Sequence, residues 1–181
     1  MNIQITGASG SGKTYLGKTL AKKLNYNFID VDDIIWQCGE NIQPYTVPVK
    51  PEDACKTFKK ILESNQNTIA SGIYYPWSKS LISFFDLLIV VETEDKIRKK
   101  RLIRREKRMY GKRVNKNGDM FNQFNRFLNW AMEYEYSDCE TGSKTKTIEW
   151  AKNFKNVIYV SGSDPINKKI KRIIKYLNKI N

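Results

Sequence analysis

The run Gly7-Ala8-Ser9-Gly10-Ser11-Gly12-Lys13-Thr14 constrains this chain more than any other feature. It satisfies G-x-x-x-x-G-K-[ST] at every fixed position, the pattern of a loop whose backbone N–H groups curl around phosphates. In that pattern Lys13 reaches the β/γ-phosphates of a nucleotide and the Thr14 hydroxyl ligates Mg²⁺. The flanks agree. Asn2-Ile3-Gln4-Ile5-Thr6 reads as a short buried strand. Thr14–Leu24 reads as a helix with Leu16, Leu20, Ala21 and Leu24 on one face, its positive end turned to the phosphates. A Gly/Ser loop matching by accident would seldom fall between a strand and a helix.

The chain has 181 residues, enough for one domain with a sizeable core. Its longest apolar run, Leu87-Leu88-Ile89-Val90-Val91, is too short to span a membrane. No signal peptide precedes the first strand, so a cytoplasmic protein without membrane attachment is expected. Cys38, Cys55 and Cys139 are three in number, widely spaced and without C-x-x-C, which argues against a disulfide framework or a zinc site. There is no histidine, so proton abstraction falls to a carboxylate, lysine, tyrosine or water.

Strand and helix patterns alternate along the chain. Strands are expected at Asn27–Asp30, Thr68–Ser71, Leu87–Val91 and Val157–Val160. Helices are expected at Pro51–Glu63, Glu94–Tyr110, Met120–Tyr136 and Thr145–Phe154, and after Asp164 as a cap with Pro165 at the first position. Apolar strands separated by helices imply a parallel sheet covered on both faces. Gly39–Pro48 reads as a loop over the site. Gly111–Gly118 reads as a polar loop with Val114 as its one apolar anchor.

Two further constellations carry chemistry. In Asp30-Val31-Asp32-Asp33 the acids sit at or just past the carboxyl end of the second strand, where ligands gather in a parallel sheet. A carboxylate there can take a proton from an attacking hydroxyl or hold Mg²⁺. Asp32 is the choice for both roles, although capping of a short helix before Ile34-Ile35-Trp36 would explain one of the three. The other constellation is basic. The net charge is +13, and eleven Lys/Arg lie between Lys96 and Arg113 against one acid, Glu106. Arg98, Arg101, Arg105 and Arg108 share one narrow helix face and suit phosphate oxygens. Lys99, Lys100 and Lys107 read as solvated, as do the lysines of Lys168–Lys179, opposite an apolar stripe of Ile166, Ile170, Ile173, Ile174 and Leu177. Tyr74, Tyr75 and Trp77, after the Gly72 turn, either stack on a substrate or pack. Phe121, Phe124, Phe127, Leu128 and Ala131 read as a core stripe.

With these residues placed, the chain resembles the nucleoside monophosphate kinase group of P-loop proteins. It is closest to bacterial adenylate kinase-related kinases, also described as topology-modulation-like ATPases. ITGASGSGKTYLGKTLAKKL is similar to their start, FIDVDDIIW to their second strand and to the Asp-x-Asp strand end of shikimate kinases. FFDLLIVVETEDKIRKKRLIRREK is similar to the strand and Arg helix leading to a lid, GDMFNQFNRFLNWAMEYE to a stretch typical of the subgroup, and VIYVSGSDPI to the strand and loop that pass the adenine. The resemblance implies a three-layer α/β/α fold with sheet order 2-3-1-4-5 in a single domain, residues 1–181, with a lid region at about 105–120. It implies that Gly7, Ser9, Gly10, Ser11, Gly12, Lys13 and Thr14 hold ATP, with Thr14 and Asp32 toward Mg²⁺. Arg101 would stack on the adenine, Arg105 would touch phosphates at the lid base, and Ser161, Gly162 and Ser163 would form the adenine loop. Lys13, Asp32 and Arg105 would carry catalysis. The lid, rich in like charges (Arg101, Arg104, Arg105, Arg108, Lys112 and Arg113), is expected to be open without ligand. Ser71-Gly72-Ile73-Tyr74 departs from the Asp-Gly-Phe-Pro-Arg-like run of monophosphate kinases and from the triple Gly of shikimate kinases. The expected activity is therefore phosphoryl transfer from ATP to a small acceptor, a nucleotide, nucleoside or polar metabolite. The alternative is an ATP-binding, nucleic-acid-associated regulator using the basic surface.

Overall fold

The computed structural model describes residues 1–39, 42, 45–73, 76–139 and 142–180. Tyr74 and Tyr75, candidates for stacking, lie outside the described residues. The strands are β1 (Ile3–Thr6), β2 (Asn27–Asp30), β3 (Thr68–Ser71), β4 (Leu87–Glu92) and β5 (Val157–Ser161). The helices are α1 (Lys13–Leu24), α2 (Asp32–Ile35), α3 (Pro51–Ser64), α4 (Asp95–Tyr110), α5 (Phe121–Met132), α6 (Lys144–Ala151) and α7 (Ile166–Ile180). The strands form one parallel sheet in the order β2-β3-β1-β4-β5, as the resemblance implied.

Strand alternation divides the core. Ile3, Ile5, Ile69, Leu87, Ile89, Val91, Ile158 and Val160 meet Leu16, Leu20 and Ala21 of α1 and Ile170, Ile173 and Leu177 of α7. On the other face Ala70 meets Ala54, Phe58 and Leu62 of α3, and Leu88 and Val90 meet Trp150, Ala151 and Phe154. Both faces are therefore covered, which is why β4 carries no polar residue until Glu92. Leu16 and Leu20 are fully buried, and each such leucine contributes about 1.5–3 kcal/mol over an exposed one. Leu20→Ala would cost about 2–5 kcal/mol. The register sets Thr6, Asp30, Ser71, Glu92 and Ser161 at the carboxyl edge of the sheet.

Elements after β4 depart from expectation in their details. Gly111–Gly118 is more ordered than a polar loop, and Val114 is its apolar anchor as expected. Its first half is a 3-10 turn, Gly111–Val114, and Val114 is buried with Leu102, Met120, Phe124, Leu128 and Ala131. The Met120 amide donates to the Arg113 carbonyl at 3.0 Å, and the Arg113 guanidinium grips Asp119 at 2.6–3.1 Å. One valine sufficed because α5 brings its apolar face against α4. The expected Phe124, Leu128 and Ala131 stripe is that face. Asp164 does not cap α7 as expected, because its carboxylate accepts from Lys168 Nζ at 2.9 Å, one turn along. Among the described residues no helix is long and apolar enough to cross a membrane.

Candidate nucleotide and acceptor site

The glycine-rich loop joins β1 to α1 at the carboxyl edge of the sheet. At Gly7 φ is +142°, and a Cβ would strike the Val91 carbonyl oxygen, so the chain leaves β1 only through glycine. At Gly10, φ +79°, a Cβ would stand 3.0 Å from the Arg98 carbonyl oxygen and from Leu102 Cγ. The loop therefore lies tight against α4. Ser11 N–H donates to the Ala8 carbonyl at 3.1 Å, closing the loop, and α1 starts directly after it at Lys13. A loop of this build at a helix N-terminus is the kind of backbone that can cradle an anion.

Lys13 is buried, with Nζ 3.5 Å from the Ala8 carbonyl oxygen. Burial pushes its pKa below the usual lysine range, and the nearby carboxylates of Asp32 and Asp30 oppose that shift. Asp30 ends β2 and accepts the Asp32 amide at 3.3 Å, which turns the chain into α2. Its carboxyl is held above its ordinary value, first by burial and then by the charge of Asp32. Lys13, Asp30 and Asp32 thus converge, and Arg105 is close enough for its charge to act on Lys13.

The arginines of α4 split into two roles. Arg98, expected to bind phosphate, is fully buried and unavailable for it. Its guanidinium donates to the Ser9 carbonyl at 3.1 Å and the Ala131 carbonyl at 2.8 Å, pairs with Asp95, and lies 5.3 Å from the Tyr134 ring centre. It clamps the back of the phosphate loop to the end of α5. Arg101 donates to the Ser11 carbonyl at 3.1 Å and the Gly162 carbonyl at 3.0 Å, so it ties the phosphate loop to the loop after β5. Arg105 pairs with Glu106 at 2.6 Å and covers the Phe127 ring. Lys99, Lys100, Lys107 and Arg108 are exposed. The like charges expected to force the lid apart are therefore partly compensated, by Glu106 and Asp119.

The Ser161-Gly162-Ser163 segment closes the other side. Gly162 N–H donates to the Glu92 carbonyl at 2.6 Å, and the Thr93 hydroxyl to the Ser11 carbonyl at 3.1 Å. The Ser161 hydroxyl accepts the Ser163 amide at 3.2 Å. Lys169, expected on a solvated face, is buried instead and donates to the Gly162 carbonyl at 3.2 Å. Its stem packs inward because α7 enters beside this loop, and burial lowers its pKa. Sequence reasoning also missed Tyr45. Its hydroxyl feels the charges of Asp32, Arg105 and Asp30, and its ring meets Trp36 edge-on at 6.2 Å. The one available signal was its place in Gly39–Pro48, the loop expected over the site. Trp77 is partly buried and packs against the cluster that holds Phe58, Leu62 and Leu81.

The donors present suit Mg²⁺. Thr14 and Asp32 offer oxygens beside the phosphate loop, and among the described residues no three acidic, histidine or cysteine side chains converge on one point. Mg²⁺ characteristically takes one or two protein oxygens and fills its octahedron with phosphate and water.

Residues 3–141 match the family model described as an AAA domain. The chain is 30% identical over 178 residues to the uncharacterized protein YqaC of Bacillus subtilis (strain 168), spanning 98% of this chain and 97% of that one. A shikimate kinase of Francisella tularensis subsp. holarctica (strain OSU18) is 34% identical over 101 residues, which is 50% of this chain and 57% of the relative. In three dimensions the chain is similar to a shikimate kinase from Bacteroides thetaiotaomicron, with TM-score 0.56, 18% identity and 98% of each chain covered. A gluconokinase from Sinorhizobium meliloti 1021 gives TM-score 0.56 at 15% identity, covering 99% of this chain and 92% of the other. A phosphate loop of this build, together with the match over residues 3–141, places the chain in the family that the AAA domain model describes, on a β2-β3-β1-β4-β5 fold shared with the shikimate kinase and gluconokinase structures.

Proposed function

We propose that the protein transfers the γ-phosphoryl of ATP to the hydroxyl of a small acceptor. The observation that carries this reading is the convergence of Lys13, at the phosphate loop, with Asp30 and Asp32, at the end of β2. Lys13 and Arg105 would neutralise charge on the transferring group, and Asp32 would orient the acceptor hydroxyl and take its proton. The acceptor oxygen forms a bond to the γ-phosphorus as the bond to the β–γ bridging oxygen breaks, and ADP leaves with that electron pair. Thr14 and Asp32 would hold Mg²⁺, which when bound supplies charge neutralisation at the phosphates. The relatives named shikimate kinase and gluconokinase support a metabolite-sized acceptor. A cytoplasmic location is part of the same reading, since three widely spaced cysteines suit a reducing compartment.

The inward placement of Arg98 and Arg101 weighs against the reading of α4 as a nucleic-acid footprint, because both guanidinium groups bind the protein's own carbonyls. ADP formation across a panel of hydroxyl-bearing acceptors tests the proposal. Turnover above the rate with water alone is expected, falling about a hundredfold or more in Asp32→Asn if that carboxylate is the base. Turnover unchanged in Asp32→Asn would remove it from the mechanism.

A further inference from the structure

The acceptor half of the site holds acids and aromatic rings. Asp30 and Asp32 stand at the end of β2, linked by the 3.3 Å bond between the Asp32 amide and Asp30 Oδ1. Next along the chain comes the segment after α2. Its base is pinned by Gln37 N–H to the Val47 carbonyl and Val49 N–H to the Ile35 carbonyl, both at 2.9 Å, around a bridge from Trp36 to Pro48. Tyr45 rides on this flap with a left-handed backbone, φ +60°. Its ring is steadied edge-to-face by Trp36, and half of the residue remains exposed. The flap puts that phenol within electrostatic reach of Asp32, Asp30, Arg105 and Tyr110.

Residues 27–49, which include β2, α2 and the segment after it, carry no lysine or arginine. Lys13 is buried at the phosphate loop, Arg105 pairs with Glu106, and Arg98 and Arg101 bind backbone carbonyls. The Ser71-Gly72-Ile73 stretch after β3 carries no basic residue. An acceptor bearing its own carboxylate or phosphate would bring a like charge toward Asp30 and Asp32, where neither of these segments offers a guanidinium to receive it. A neutral polyhydroxy ring has the opposite fit. Its hydroxyls donate charge-assisted hydrogen bonds to carboxylates, and its apolar face lies on an aromatic ring.

Resting on the phosphotransfer reading, we infer that the acceptor is an uncharged, ring-bearing polyol of the sugar or nucleoside class, held between the carboxylates of Asp30 and Asp32 and the ring of Tyr45. Tyr45 then determines specificity. One acceptor hydroxyl gains the γ-phosphoryl and loses its proton to Asp32, while ADP departs.

The test uses the full chain with Mg-ATP and matched acceptor pairs: adenosine against AMP, ribose against ribose 5-phosphate, glucose against gluconate. The neutral member of at least one pair should have a kcat/KM about tenfold or more above its anionic partner. Adenosine against ribose and glucose separates nucleoside from sugar. Tyr45→Ala should raise the acceptor KM about tenfold with a smaller effect on kcat, and Tyr45→Phe, which keeps the ring, should restore most of it. The inference is overturned if the anionic members are preferred, if Tyr45→Ala leaves the acceptor KM within twofold, or if ATP is hydrolysed while no neutral member is phosphorylated. Absence of Mg-ATP binding by calorimetry would instead overturn the phosphotransfer reading itself, and this inference with it.

Discussion

Replacing Arg98 by alanine should loosen both the fold and the phosphate loop. The side chain is fully buried, and its guanidinium satisfies the carbonyls of Ser9 and Ala131 at 3.1 and 2.8 Å. Hydrogen bonds from a charged donor contribute about 1.5–3 kcal/mol each. The cation over Tyr134 adds about 1–2 kcal/mol in a desolvated setting. Against this stands the buried Arg98 Nε without a partner, whose removal returns about 1–3 kcal/mol. The net loss is about 3–5 kcal/mol, the range seen when one member of a buried ion pair is removed. For a domain of this size that corresponds to a fall in Tm of roughly 6–20 °C. Urea unfolding followed by circular dichroism reads it as a lower midpoint at constant slope. Mg-ATP affinity should fall as well, since the Ser9 carbonyl loses the group that fixes the loop against α4. A stability loss below about 1 kcal/mol would refute the reasoning. It would mean that the cost of dehydrating the guanidinium cancels what its bonds supply.

Asp30→Asn should stabilise the protein at pH 7. The Asp30 carboxyl is held above its ordinary value, first by burial, so the folded state carries an ionised group at a cost, while the amide keeps the Oδ1 that accepts from Asp32 N–H. The native carboxylate's deficit is absent below its unfolded pKa and grows as pH rises through the raised folded value, so the gain from Asn should shrink on acidification. Thermal unfolding from pH 7 down to pH 4 checks this, and a gain that increases toward low pH would contradict it. Val114→Ala removes two buried methyl groups from the contact with Leu102, Met120 and Phe124 and should cost about 2 kcal/mol. Hydrogen exchange should then quicken across 111–118, and exchange equal to the parent's would mean that Val114 does not anchor this turn.

Local patterns in the sequence carry the strands, the phosphate loop and α1, because each depends on a short run: alternating or continuous apolar residues, and glycines at fixed offsets. The destination of a long cation does not follow from such patterns. Arg98 and Arg101 lie one turn apart on α4 and look alike in sequence. What separates them is the end of α5 and the turn after it, whose Ala131 carbonyl and Tyr134 ring roof over Arg98 from 33 and 36 positions away. Lys169 escapes notice for the same reason, since its burial depends on where the loop of Ser161-Gly162-Ser163 meets α7. Tyr45 sits in a stretch without periodicity, and its position is set by the bridge between Trp36 and Pro48 and not by any local preference. The composition of 111–118 is polar, and only the α5 stripe opposite Val114 shows how one valine packs the turn.

Calorimetric titration of Mg-ATP into the parent protein and into Lys13→Ala tests the central claim most directly. Among the described residues Lys13 Nζ hydrogen-bonds to the Ala8 carbonyl at 3.5 Å, so truncation removes the cation from the phosphate loop while sparing the apolar contacts of α1. The account predicts saturable binding by the parent and an affinity lower by tenfold or more in the variant, at least about 1.4 kcal/mol. Equal affinity in the two proteins, or no binding to either, would contradict it.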